Sequence, residues 1–421
     1  MTDMNRREAL ALLLPAPAIA HPAFAAAPRA LVRAQTRATA KHRVVLNVGH
    51  GLLIEPDGSV HVWRDSRAND VVLGLGPNGS LPEYTLAKVP GLTGIVAAQA
   101  GSACSFAVRA DGTVLAWGVN GGNGRLGTTP PSFFEERASW SPDSNVPVPL
   151  AVRFDAIDVS TMNDHALALT RDGRVYAWGT GDKGQLGIGP MPVTKFRSRS
   201  PSAYPYAPFP VEIAGLSAVI AISAGYAHSL AAMKDGTVRA WGQNSSGEVG
   251  DGTTAVRNAP VVVSGVRDAV GVAAGQGFSA ALLRDGTVMT WGNRIAGGLG
   301  REATDANRGV PALVPGVKGV RRIVAGHNHV LALTEAGTIV SWGTPYPGRS
   351  GNERAAAVVP GLAGVQSIAA HEATSMAVLA SGRIMTWGFP LRPWTRPPEE
   401  GSYDNISHRP ILLWLDGLEQ P

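Results

Sequence analysis

Residues 224–250 read AGYAHSLAAMKDGTVRAWGQNSSGEVG, and the order of residue types in this stretch decides the architecture. Asp235-Gly236 supplies the positive φ angles that a tight hairpin turn demands. Val238 and Ala240 then alternate with polar neighbours up to Trp241, the period of a strand. Upstream lie two more strand-like runs, AVIAISAG (218–225) and HSLAAM (228–233), and downstream a fourth, APVVVSGV (259–266). Four short strands therefore make one unit.

That unit recurs along the chain. Tryptophans stand at Trp63, Trp117, Trp178, Trp241, Trp291, Trp342 and Trp387, and a glycine precedes each by five residues: Gly58, Gly112, Gly173, Gly236, Gly286, Gly337 and Gly382. The first five of these glycines follow Asp57, Asp111, Asp172, Asp235 and Asp285. Seven copies at a period of 45–63 residues predict a repeat fold. Composition agrees: 51 Gly and 31 Pro in 421 residues suit turns and disfavour helical bundles, and 44% hydrophobic residues are enough for a sizeable core. One cysteine, Cys104, excludes an intramolecular disulfide framework and any multi-cysteine metal site. A net charge of +5 is mild, short of the concentrated basic stripe of a nucleic-acid binder.

The expected fold is all-β, a seven-bladed β-propeller of four-stranded antiparallel blades over residues 43–418. Short glycine-containing links, such as Gly215-Leu216 into Ala218, read as hairpins, so the downstream strand is expected to pair with the next unit's first strand. On that reading the blade at Arg43 lacks a strand that RPILLWLDGL (409–418) supplies. Pairing of the N- and C-terminal strands would then close the ring.

Residues 1–27 carry Arg6-Arg7, a short apolar run and small residues around Ala25, an arrangement similar to a twin-arginine export signal. Residues 28–42 read as a linker. The apolar run is broken by Pro15 and Pro17 and is too short to span a bilayer. The expected location is periplasmic or secreted.

The composite AG-x-x-HS-L-A-A-x-x-DG-T-V-x-A-WG-x-N-x-x-G-x-x-G resembles the regulator of chromosome condensation repeat, a family of seven-bladed propellers, and the resemblance covers about residues 43–418. Gly-Gln-Leu-Gly stands complete only at Gly184–Gly187 and is degraded in units one, six and seven. The resemblance implies a binding platform in most members, with a nucleotide-exchange factor for a small GTPase among the eukaryotic ones. Fold alone does not choose a function.

Several residues invite a chemical reading. His50, His165, His228 and His329 occupy one repeat position, thirteen residues before the Trp, where the other units have Cys104, Phe278 and Thr374. Because these imidazoles come from different units, convergence on one metal ion is disfavoured and hydrogen bonding within the turn is expected. The repeated Asp-Gly acids cannot supply two differently tuned carboxylates, and Glu135-Glu136 and Glu399-Glu400 read as solvated loop charges. No phosphate-cradling, nucleophile-elbow or zinc-protease motif occurs, so no cofactor, metal or catalytic residue is assigned.

Information about a particular partner should lie where the copies differ. Three long links rich in Pro, aromatic and Arg residues follow Trp117 (128–147), Trp178 (191–210) and Trp387 (389–409). Phe133, Phe134, Trp140, Lys195, Arg197, Arg199, Tyr204, Tyr206, Phe209, Arg392, Trp394, Arg396 and Tyr403 have the composition of a protein-binding surface. The expectation is a monomeric, non-enzymatic scaffold that binds another protein, with Lys195, Arg197 and Arg199 favouring an acidic one and no role for nucleic acid. The alternatives are a periplasmic hydrolase or lyase acting on an envelope polysaccharide, or a cytoplasmic exchange-like factor if the chain is not exported.

Overall fold

The computed structural model describes residues 43–47, 49–65, 68–121, 123–129, 142–190, 205–306, 308–343, 355–388 and 407–413. The proposed signal and linker, 1–42, lie outside this set. Twenty-eight strands form seven four-stranded antiparallel sheets, and helix among the described residues is confined to two single turns, Asp70–Leu73 and Ile295–Gly297. The seven-bladed β-propeller is thus the observed fold.

Blade four shows the pattern. Its inner strand Val219–Ala224 pairs with His228–Met233, which pairs with the Trp strand Val238–Gly242, which pairs with the outer strand Arg257–Val262. The alternation read from the sequence places Val238, Ala240 and Trp241 in the core, each essentially inaccessible to solvent. Asp235 Oδ1 accepts from the Thr237 N–H at 2.9 Å, which locks the turn between the second and third strands, and Gly236 has φ +82° as that turn requires.

Two expectations are corrected. Each sheet holds the four strands of one sequence unit in order, so the downstream strand closes its own unit's blade and the short glycine link crosses to the next blade. From Glu212, the end of the third outer strand, to Val219 the chain advances seven residues, about 23 Å of reach. A four-strand blade is only about 14 Å wide, so a link of that length serves a crossing as well as a hairpin. Gly173 O accepts from the Val219 N–H at 3.0 Å and so anchors the start of one blade to the turn of the preceding one.

The closure also differs. The C-terminal strand Ser407–Leu412 pairs with Ile384–Gly388 of its own blade, and the first blade is complete with Ala87–Lys88 as its short outer strand. Blades seven and one instead meet by packing: Val44, Leu46, Leu53 and Trp63 share a buried cluster with Ala369, Met376, Val378, Ile384 and Leu413. Burying apolar surface between blade faces stabilises the ring at every seam and needs no shared sheet there.

Trp residues are the wedges of these seams. Trp117, Trp178, Trp241, Trp291 and Trp342 are buried and donate from Nε1 to backbone carbonyls of the preceding blade, those of Val72, Arg125, Gln185, Glu248 and Gly298, at 2.8–3.1 Å. A glycine beside each carbonyl lets the backbone lie against the indole. At Gly187 a Cβ would stand 2.7 Å from Trp241 Nε1. The degraded motif of unit one still provides this contact through Gly74 against Trp117.

Candidate functional site

The residue that opens each second strand sits on one face of the ring, opposite the glycine that follows the Trp in blades two to seven, as His165 with Gly179 and His228 with Gly242, and opposite Arg64 in blade one. The long links leave from this same face, opposite the Asp-Gly turns, because antiparallel pairing returns the Trp strand to the level of the histidine.

The four histidines are buried and reach across seams. Each Nε2 lies 2.8–2.9 Å from a serine Oγ in the next blade, in the pairs His50–Ser105, His165–Ser229, His228–Ser279 and His329–Ser375. The hydroxyls of Ser229 and Ser279 donate to the carbonyls of Gln185 and Glu248, so His165 and His228 must donate from Nε2. Burial pulls His165 down to about 3 and His228 and His329 down to about 4. The bonding expected within the turn is therefore made between blades. In blade two the position is Cys104, whose thiol burial pushes up to about 11.

The repeated acids are equally committed. Asp57, Asp111, Asp235 and Asp285 each accept a backbone N–H two residues on, at 2.8–2.9 Å, and the hydrogen bonds with Ser59, Thr113, Thr237 and Thr287 hold these carboxyls below the usual range. They are turn residues.

Of the residues assigned to partner binding, Phe133, Phe134, Trp140, Lys195, Arg197, Arg199, Tyr204, Arg392, Trp394, Arg396 and Tyr403 lie outside the described residues. Tyr206 and Phe209 belong to the outer strand of blade three, Tyr206–Glu212. Tyr206 pairs with Thr180 and is only 7% exposed, with its hydroxyl pushed up by burial, and Phe209 is half-buried. Both side chains are thus part of the blade at the root of the link. Trp strands ending at Gly118, Thr180 and Gly388 and outer strands beginning at Ser144, Tyr206 and Ser407 set both ends of all three links on the histidine face. Between blades two and three this face carries the ion pair Arg125–Asp164 at 2.7 Å and the bond from Asn123 Nδ2 to Thr180 Oγ1 at 2.9 Å.

The sequence reading passed over the axis of the ring. The inner strands surround a channel of about 280 Å³. At the histidine face, His371 of blade seven reaches across to donate from Nε2 to the Met162 carbonyl of blade three, 3.3 Å away. His327 lies beside it, ring centroids 5.5 Å apart, with the half-exposed Tyr226 edge-on to His327 at 5.9 Å. Successive turns there are joined by N–H to C=O bonds from Tyr226 to Gly275, Gln276 to His327 and His327 to Glu372. Aligning the seven units by their Trp places His371 where the others have Asn47, Gly101, Met162, Gly225, Gly275 and Gly326, which is the signal available in the sequence.

The family model described as RCC1-like domain matches residues 21–361. The chain is 31% identical over 205 residues to protein pim1 of Schizosaccharomyces pombe, a match that takes in 48% of this chain and 37% of that protein. Human WBSCR16 superposes with TM-score 0.65 at 21% identity, covering 82% of this chain and 92% of that one. Prp20p of Saccharomyces cerevisiae, whose structure was described with its binding to Gsp1p and histones, superposes with TM-score 0.63 at 21% identity, covering 78% and 80%. These structural likenesses concern the fold alone.

Proposed function

The chain belongs to the RCC1-like domain family, and from that premise we propose that it is a non-enzymatic, exported propeller whose histidine face binds another protein. The observation that carries this reading is that the three links richest in Pro, aromatic and Arg residues are rooted on one face, in blades seven, two and three, while the opposite face carries the hairpin turns, Asp-Gly in units one to five. Loops on a rigid scaffold are where recognition concentrates. Aromatic and Arg residues are the side chains that dominate protein interfaces, and Phe133, Phe134, Trp140, Arg197, Arg199, Trp394 and Arg396 supply them. Lys195, Arg197 and Arg199 favour an acidic partner surface, whose encounter slows as salt rises.

Capture from an envelope extract tests the assignment, comparing the intact chain with one whose 191–204 link is replaced by Gly/Ser. The exchange stops at 204 because Tyr206–Glu212 is a blade strand. Loss of captured partners with an unchanged melt supports the site, and retention of every partner overturns it. Export is tested by changing Arg6 and Arg7 to Lys and fractionating the cells. Periplasmic recovery should fall.

The likeness to the guanine nucleotide exchange factor SRM1 of Saccharomyces cerevisiae, 31% identical over 147 residues that take in 35% of this chain and 27% of that protein, favours nucleotide exchange as the second reading. Accelerated release of labelled GDP from a small GTPase by the chain would establish it in place of the scaffold role.

A further inference from the structure

Three charged residues occupy one level of the axial channel. Counting from the position that opens each second strand, the fifth residue pairs with an inner-strand residue, and at that register stand Arg43, Asp158 and Arg322 from blades one, three and six. The other four blades place Ala97, Ala221, Gly271 and Ser367 there. Blades one, three and six are not neighbours, so the charges face one another across the axis, with small residues between them leaving room.

The charges do not balance. No ion pair within 4 Å joins Asp158 to either arginine among the described residues. Arg43 donates from Nη1 to the Val96 carbonyl at 2.6 Å, and the Asp158 carboxylate accepts from the Val159 N–H at 2.9 Å. Arg322 has no hydrogen bond to the protein among the described residues, and its side chain is exposed to the channel that it lines. Two guanidiniums that cannot lose their protons stand against one carboxylate, so this level of the channel carries net positive charge with donors left over. Arg321 is already tied to the Thr334 and Val365 carbonyls.

We propose that this level of the channel is a binding site for a small oxyanion, a carboxylate or a phosphate, held between Arg43 and Arg322. Planar guanidiniums match the paired oxygens of such groups. Asp158 makes the site proton-linked. Burial pushes its carboxyl up to about 6 even though Arg322 and Arg43 pull it down, so in mild acid it stops repelling the anion and gains a proton to donate to it. The charged groups facing Asp158 are Arg43 on the inner strand of blade one and Arg322, with Arg321 beyond, on that of blade six. The inner strands of blades two, four and five contribute no ionisable lining residue, and blade seven contributes only His371, at the histidine mouth.

Melting and titration calorimetry of the full chain, in sodium phosphate, sodium acetate or sodium chloride at equal ionic strength, test the site without reference to the docking face. Phosphate, acetate or both should raise Tm above chloride with saturating concentration dependence, more at pH 5.5 than at 7.5. Whichever of the two acts identifies the source of the oxyanion. Arg322→Gln should abolish the increment, and Asp158→Asn should bind severalfold more tightly at pH 7.5 and lose the pH dependence. Equal melts in the three salts, or an increment that survives Arg322→Gln, overturn the proposal. If Arg322→Gln gives no cooperative melt, Asp158→Asn decides, because it keeps both guanidiniums and unchanged or weaker binding contradicts the site.

Discussion

His165 Nε2 and Ser229 Oγ lie 2.9 Å apart across the seam between blades three and four, and this pairing occurs only where neighbouring units supply both partners. Histidine in blades one, three, four and six meets Ser105, Ser229, Ser279 and Ser375. Where the next blade has Ala166, Val330 or Gly51 at the serine position, the residue facing it is Cys104, Phe278 or Thr374. A buried imidazole N–H is stable only with an acceptor, so the polar pair is present or absent as a whole.

Ser229→Ala should therefore destabilise the ring by about 1–3 kcal/mol, because it leaves the His165 N–H unpaired and takes one donor from the Gln185 carbonyl. Urea unfolding reads this directly. A midpoint equal to that of the parent chain would show the seam bond to be incidental.

The same histidines set an acid limit. Their folded pKa values of about 3 to 4 lie below the roughly 6.5 of an unfolded histidine, so between these values the unfolded state binds the extra protons. Stability is complete above pH 6.5 and falls as pH drops toward 4, by roughly 1.4 kcal/mol per pH unit for each histidine. Asp158 works the other way: its folded value of about 6 lies above that of an unfolded Asp, so acidification between 6 and 4 favours the fold by one proton against three. Urea midpoints at pH 7, 6 and 5 should decline steadily. A flat profile would contradict neutral, buried imidazoles.

Two glycines with the same backbone conformation should respond differently to alanine. Gly215, φ +79°, has nothing within 4 Å of where a Cβ would stand, so Gly215→Ala carries only left-handed backbone strain, about 1–2 kcal/mol. Gly187, φ +68°, faces Trp241 Nε1 at 2.7 Å, and overpacking there adds about 1–3 kcal/mol. The Gly187→Ala chain should melt below the Gly215→Ala chain. Equal melts would remove the indole contact from the account of the seams.

The blade count and strand order within a unit were legible because Asp-Gly turns and the spacing to each Trp are local signals. The boundary between blades was not: the Gly215-Leu216 link is short enough for a hairpin yet long enough to cross a blade, and Leu216, 4% exposed, belongs to the cluster shared by blades three and four. The roles of His165 and Ser229 required knowing which units face each other. Arg43, Asp158 and Arg322 lie far apart in sequence, and only the register brings them to one level. Most of the candidate docking residues stand in the links, where no repeat constrains them.

Removing residues 407–421 separates the two closure schemes. Shared-sheet closure would strip a strand from blade one and expose the hydrogen bonds of Arg43–Leu46. In the observed topology the deleted strand pairs with Ile384–Gly388, and Leu413 N donates to the Ile384 carbonyl at 2.8 Å. The truncated chain should be less stable, since Leu413 leaves the cluster that joins blades seven and one. Hydrogen exchange measured by mass spectrometry should nevertheless show lost protection in Ile384–Gly388 while peptides spanning Arg43–Leu46 and His50–Ile54 keep theirs, because those strands pair with each other. Protection lost first in Arg43–Leu46, with Ile384–Gly388 unaffected, would restore closure by a shared sheet.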